Sequence, residues 1–333
     1  MSKLENTMNA LTRLGTGILA ADESNKTISK RLSSIKLKST EETRYAYRHL
    51  LLSTPNLKKY ISGVILYDET IKQTGFAGPL RECAMGYEIG IKVDLGLEDL
   101  PFCEQEKITK GLDDLAERLK EYQKLGATFT KWRNVFSISD STPSQTAVIA
   151  NCEVLARYAA IAQQHDFIPI VEPEVLLDGD HSIEDCANAT SRVLDQLFTA
   201  LNTHKVDLSL IILKPNMIVP GLSSGTAFNA EEVAQWTLTT FMNHVPAAVR
   251  SINFLSGGIG PENANAALKA INELGGWLPW RLSFSFARAL QQPCLDTWLG
   301  LEENVTAAQK KLIKFTKMNC ECLAELNTEE EPA

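Results

Sequence analysis

The sequence predicts an α/β protein, a closed (β/α)8 barrel of the TIM type built as a single domain over residues 1–333, with an extra helix at each end. Three observations carry that expectation. Eight short apolar or β-branched runs recur along the chain, and segments with helical period lie between them. The runs start about 25 to 45 residues apart, which leaves room for the helix and two loops that join consecutive parallel strands.

In order, the runs are Gly17 to Ala21, Gly63 to Tyr67, Glu88 to Val93, Thr128 to Trp132, Ile168 to Val171, Leu208 to Leu213, Ile252 to Leu255 and Leu282 to Phe286. Ile108, Leu112, Leu115, Leu119 and Tyr122, spaced by three and four, exemplify an intervening helical face. An open doubly wound sheet is the main rival. Against it, Gly15-Thr16-Gly17 precedes the first run, whereas a dinucleotide-binding loop would follow it. Outside the repeat, residues 1–14 carry Leu4, Met8, Leu11 and Leu14 at helical spacing and are expected to plug the N-terminal end of the barrel. Residues 303–326 read as a C-terminal helix, and 327–333 as a mobile acidic tail.

Apolar residues form 44% of the chain and charged residues 22%, enough to bury a large core. A net charge of -8 disfavours nucleic acid or an anionic membrane as partner, so any anion site must be local. The seven cysteines are scattered without a C-x-x-C pair, which points to reduced thiols rather than a disulfide framework or structural zinc. No signal peptide or membrane-length apolar run is evident, so the expected location is the cytoplasm.

Polar residues gather where the runs end. Asp22 follows the first, Asp68 and Glu69 the second, and Asp94 the third; Lys131 and Arg133 stand at the fourth, Glu172 and Glu174 at the fifth. Lys214 closes the sixth, Ser256 the seventh, and Arg288 lies beyond the eighth. In a (β/α)8 barrel these ends converge on one mouth. Lys214 is held between an apolar run and Pro215, where burial and a second cation such as Lys131 would lower its pKa. A neutral amine can attack a ketone and form an iminium, an electron sink that permits carbon-carbon cleavage without a metal.

That chemistry needs carboxylates. Glu172 and Glu174 flank Pro173 at i and i+2, so an extended segment aims both to one side, where one can shuttle protons or pair with Lys131 or Arg133. Asp22 can accept a hydroxyl proton, hold Lys214 charged, or cap the helix carrying Lys30 and Arg31. The turn Ser256-Gly257-Gly258-Ile259-Gly260 after the seventh run, with Arg288 after the eighth, matches the recurrent phosphate site of such barrels. The five histidines lack H-x-H or H-x-x-x-H spacing, so no metal is expected.

These residues resemble the class I fructose-1,6-bisphosphate aldolases from Gly15 to about Gly300. The resemblance rests on Gly17-Ile-Leu-Ala-Ala-Asp-Glu-Ser24, Lys131-Trp-Arg133, Val171-Glu-Pro-Glu174 with Asp178-Gly-Asp-His181, Leu213-Lys-Pro-Asn-Met217, Leu255-Ser-Gly-Gly258 and Phe286-Ala-Arg-Ala-Leu-Gln291. It implies that Lys214 forms the Schiff base without any cofactor, that Glu172 is the general acid/base, that Asp22 and Lys131 assist cleavage, and that Glu174 orients Lys214. It also implies that Ser256, Gly257 and Arg288 hold the 1-phosphate end, that Ser24, Thr27, Arg31 and Arg133 line the other end, and that the ligands are a phosphorylated ketose and triose phosphates. Members are often homotetramers of glycolysis and gluconeogenesis.

Two departures stand out. Leu95, in Ile91-Lys-Val-Asp-Leu-Gly96, occupies the position read as the family's 6-phosphate lysine, and no Tyr follows Tyr158 to supply the terminal tyrosine of vertebrate-type members. Leu95 opens the alternative of a Schiff-base aldolase preferring fructose 1-phosphate or sedoheptulose 1,7-bisphosphate. A barrel kept as a non-catalytic scaffold is the alternative from another class.

Overall fold

Every strand of the sheet joins a parallel neighbour, and the first pairs with the last. The computed structural model describes residues 2–324, with β1 Gly17–Ala21, β2 Ile61–Leu66, β3 Glu88–Lys92, β4 Phe129–Phe136, β5 Ile168–Val175, β6 Ile212–Leu213, β7 Ser251–Phe254 and β8 Arg281–Phe286. Their order around the closed barrel follows the chain, each strand beside the next and β1 beside β8 through Ile18 and Ser285. The (β/α)8 expectation is met.

Two packing layers result from the period-two alternation of the strands. Ile18, Ala20, Ile65, Phe129, Ile168, Ile170 and Ile212 form an inner cluster, closed from below by Met8 and Leu11 of helix α1, Lys3–Leu11. Alternate residues such as Leu19, Val64, Trp132, Val171 and Leu213 face outward into the larger core. That core packs against α2 Asn25–Ser34, α3 Glu41–Leu52, α4 Leu115–Lys124, α5 Gln145–Gln164, α6 Ile183–Thr203, α7 Ala230–His244, α8 Pro261–Gly275, α9 Arg288–Trp298 and α10 Val305–Ala324.

Several boundaries differ from expectation. Leu208–Leu210 is a 3-10 turn rather than strand, because the Asp207 carboxylate accepts from the Ser209 amide and hydroxyl and so offers the backbone an alternative to the ladder. β4 and β5 run on together from Phe129 opposite Ile168 to Phe136 opposite Val175, so Lys131, Arg133, Glu172 and Glu174 lie within strands and not after them. Ile108 belongs to a small hairpin of Leu97–Asp99 with Lys107–Thr109, and the helix begins only at Leu115. Leu14 lies beyond α1 and is exposed. The expected acidic tail at 327–333 lies outside the described residues, as do the last two positions of the C-terminal helix.

Candidate active site

The inner face of the strands changes from apolar to ionic toward the C-terminal mouth, because the same alternation that buries Ile18, Phe129, Ile170 and Ile212 delivers Asp22, Lys131, Glu172 and Lys214 two to four residues later. These four side chains are all more than nine-tenths buried. Lys131 Nζ lies 2.9 Å from Asp22 Oδ2 and 3.0 Å from Glu172 Oε2, while Lys214 Nζ lies 3.3 Å from Glu172 Oε1. One carboxylate therefore sits between two amines. They line a cavity of about 400 Å³ that also presents Glu23, Lys30, Lys92, Ser285 and Ala287.

Electrostatics separate the two lysines. Burial depresses the Lys214 pKa and the Lys131 charge adds to that, with Glu172 and Asp22 opposing only in part. Burial also works against the Lys131 ammonium, but Asp22, Glu172 and Asp94 outweigh it and lift its pKa above the ordinary lysine value. Burial favours neutral Asp22, yet Lys131 and Lys214 together pull it down to about 2. Glu172 is likewise lowered despite burial, through Lys131, Lys214 and Arg133. Lys131 is a fixed cation and Lys214 the amine more readily deprotonated.

The cavity has an anion-binding flank. Arg288 Nη2 donates to the Gly257 carbonyl at 3.0 Å and lies against Gly258, where a Cβ would meet that nitrogen at 2.8 Å on a backbone of φ +107°. Only glycine fits there. Ser256, Gly257 and Arg288 line the cavity together. On another flank, Ser24 caps α2 by accepting from the Thr27 amide, so both residues stand at a helix N-terminus where anions are favoured. Ser24, not Asp22, is the cap. Arg31 donates to Glu23 and to Gln291 Oε1 at 3.3 Å, which ties it to α9, the helix that Arg288 begins. Burial and then the Arg31 charge lower the Arg288 pKa. Arg31 thus stands near Arg288 rather than only at the opposite end.

Some residues expected at the mouth lie elsewhere. Glu69 is engaged by Arg44 and Arg48, and Asp68 by Tyr122 and Lys72, so neither faces the cavity. Glu174, expected to orient Lys214, pairs with Arg133, and the carboxylate beside Lys214 is Glu172. Leu95 is 62% exposed and lines an adjoining pocket that shares Ser24, Thr27, Lys92 and Arg133 with the catalytic cavity, whereas Lys92 lines both and donates to Asp94 Oδ1 at 2.6 Å. Lys92 is the cation that sequence reading passed over. Its signal was present: Gly90, Lys92 and Asp94 alternate with buried Ile91 and Val93, which puts Lys92 on the inner face.

A family model for class-I fructose-bisphosphate aldolase matches residues 3–331. The chain belongs to the class I fructose-bisphosphate aldolase family. It is 47% identical over 310 residues to cytosolic fructose-bisphosphate aldolase 4 of Arabidopsis thaliana, covering 92% of this chain and 79% of that one. It is also 47% identical over 311 residues to the non-muscle aldolase of Lethenteron camtschaticum, covering 92% and 85%. The fructose-bisphosphate aldolase of Plasmodium falciparum, solved in complex with TRAP and a small-molecule inhibitor, superposes with a TM-score of 0.94 at 43% identity over 99% of this chain and 96% of that one. The activity is accordingly that of a lyase acting on fructose bisphosphate. Among the described residues, no three His, Cys, Asp or Glu side chains are grouped to hold a metal ion, and no helix is long and apolar enough to cross a membrane.

Proposed function

We propose that this aldolase cleaves fructose 1,6-bisphosphate reversibly to dihydroxyacetone phosphate and glyceraldehyde 3-phosphate through a Schiff base on Lys214. The observation that carries the proposal is the buried Lys214 amine 3.3 Å from Glu172, with Lys131 on the other oxygen of the same carboxylate. Glu172 takes the ammonium proton, and the neutral amine adds to the C2 ketone. The protonated Glu172 then donates to the carbinolamine hydroxyl, which leaves as water and gives the iminium. Asp22 or Glu172 accepts the C4 hydroxyl proton as the C3-C4 bond breaks, its electron pair passing into the iminium to form an enamine while the aldehyde departs. Protonation at C3 and addition of water release dihydroxyacetone phosphate and the free amine. Lys131 stabilises the carboxylates throughout.

Ser256, Gly257, Gly258 and Arg288 receive the 1-phosphate, and Ser24, Thr27, Lys92 and Arg133 the other, with Arg31 between them. Lys92 in the cavity favours the bisphosphate over the monophosphate reading that Leu95 suggested. Borohydride trapping with dihydroxyacetone phosphate tests the assignment: adduct mass on a peptide without Lys214 refutes it. Cleavage that a strong chelator abolishes refutes the metal-free course. The proposal extends to a cytoplasmic homotetramer of glycolysis and gluconeogenesis; the cytosolic relative supports the compartment, and a monomer in sedimentation equilibrium would contradict the assembly.

A further inference from the structure

One buried amide ties the helix that Arg288 begins to the strand that leads into Asp22. Gln291 lies one turn into α9 from Arg288 and is 1% exposed. A side-chain amide offers two lone pairs and two N-H groups, and burial makes any of them costly to leave open. All four are used here. Nε2 donates to the Ala20 carbonyl of β1 at 2.6 Å and to Glu23 Oε1 at 2.8 Å. Oε1 accepts from the Tyr47 hydroxyl of α3 at 2.9 Å and from Arg31 Nη1 of α2 at 3.3 Å. A reversed amide would set acceptor against acceptor at Ala20 and Glu23 and donor against donor at Arg31, so the network admits one orientation only.

The consequence falls on Arg31. Glu23 and Gln291 both hold the same nitrogen of its guanidinium, Nη1. Among the described residues Nη2 has no hydrogen-bond partner, and Arg31 lines the catalytic cavity together with Arg288. The two guanidinium groups repel each other, so Arg31 keeps this place only while its far side is anchored. Both anchors depend on the amide: Oε1 accepts from Nη1 directly, and Nε2 is the second donor to the Glu23 carboxylate. A long, rotamer-rich side chain fixed before its ligand arrives is spared the entropic cost of ordering on binding.

We propose that Gln291 is a positioning residue for phosphate recognition: it holds Arg31 by Nη1 so that Nη2 stays open, near Arg288, for a phosphate oxygen of the substrate. Gln291 does not itself line the cavity and acts through Arg31. The inference rests on the reading of this mouth as a sugar-phosphate site.

The test measures the rate of borohydride trapping at Lys214 in the full chain with subsaturating dihydroxyacetone phosphate and, separately, dihydroxyacetone, which differ only in the phosphate. It compares the native chain with Gln291→Met, Tyr47→Phe, Arg31→Met and the Gln291→Met/Arg31→Met double variant. Gln291→Met should slow trapping of the phosphorylated ketone about tenfold or more and of dihydroxyacetone less than about threefold. Tyr47→Phe deletes one hydrogen bond to the amide and keeps the ring that stacks on Trp298, so it should show the same split with a smaller loss. It decides the matter if Gln291→Met does not fold. In the Arg31→Met background, Gln291→Met should cost the phosphorylated ketone less than about threefold further, since the group it positions is gone. Equal losses with both ketones, no loss with either, or full additivity with Arg31→Met overturns the proposal while the native preference for the phosphorylated ketone stands. A native chain that traps both ketones equally fast overturns it together with the phosphate reading beneath it.

Discussion

Replacing Lys131 by Met removes the cation that keeps Lys214 deprotonable without touching the nucleophile itself. The two amines flank Glu172 at 3.0 and 3.3 Å, on different oxygens of that carboxylate. A separation of roughly 6 Å and an effective dielectric of about 20 give a repulsion of about 3 kcal/mol, on the order of a hundredfold in the neutral fraction of Lys214 at a given pH. Asp22 and Glu172, left with one cation between them, take up a proton more readily and return part of that energy, so the net effect is between roughly ten- and a hundredfold. The assay is the rate of reductive trapping of Lys214 by dihydroxyacetone phosphate as a function of pH. Because the neutral amine reacts, the rate rises with pH in the native chain, and in Lys131→Met the same rise moves to higher pH, with partial rescue at the alkaline end. A variant whose trapping rate falls equally at every pH, with no displacement of the profile, would refute the electrostatic role and leave Lys131 only a steric one.

Three other outcomes are expected. Asp22, held at about 2 in the folded state against 3.8 ordinarily, contributes stability that is complete above pH 4 and lost as pH falls through about 2. Denaturant titrations should show the native chain losing about 2 kcal/mol more than Asp22→Asn over that interval, and parallel losses would contradict the ion pair. Gly90→Ala would place a Cβ 2.2 Å from the Phe129 ring in the filled barrel interior and should lower stability by about 2 kcal/mol in urea unfolding, with no loss if the ring moves freely. Lys92→Met should raise KM for fructose 1,6-bisphosphate at least tenfold more than for fructose 1-phosphate, while Leu95→Lys changes either by less than about threefold; the reverse ranking would restore Leu95 as the far-end determinant.

Alternation and order were legible in the linear chain. The eight apolar runs defined the barrel, because a strand buried on both faces must be written in apolar residues, and the polar groups that interrupt or end those runs marked Asp22, Lys131, Glu172, Lys214, Ser256 and Arg288 as neighbours at one mouth. Two kinds of fact needed the closed fold. Strand length was one: charges at 131, 133, 172 and 174 look like strand ends in one dimension, yet β4 and β5 continue past them because each charge finds a partner on the neighbouring strand.

Pairing was the other. Glu69 turns to Arg44 and Arg48, Glu174 to Arg133, and Glu172 to both lysines, and these choices depend on distances of a few ångströms between residues tens of positions apart. Lys92 and Leu95 show the limit most directly. Three positions apart on one loop-bound strand end, Lys92 lines the catalytic cavity whereas Leu95 lines only the pocket adjoining it, since the chain leaves the sheet between them and the strand's alternation no longer governs where Leu95 faces. The chain's own periodicity determined which residues meet at the mouth; only tertiary closure, which sets the distances on which hydrogen bonding and Coulomb attraction depend, decided which carboxylate serves which amine.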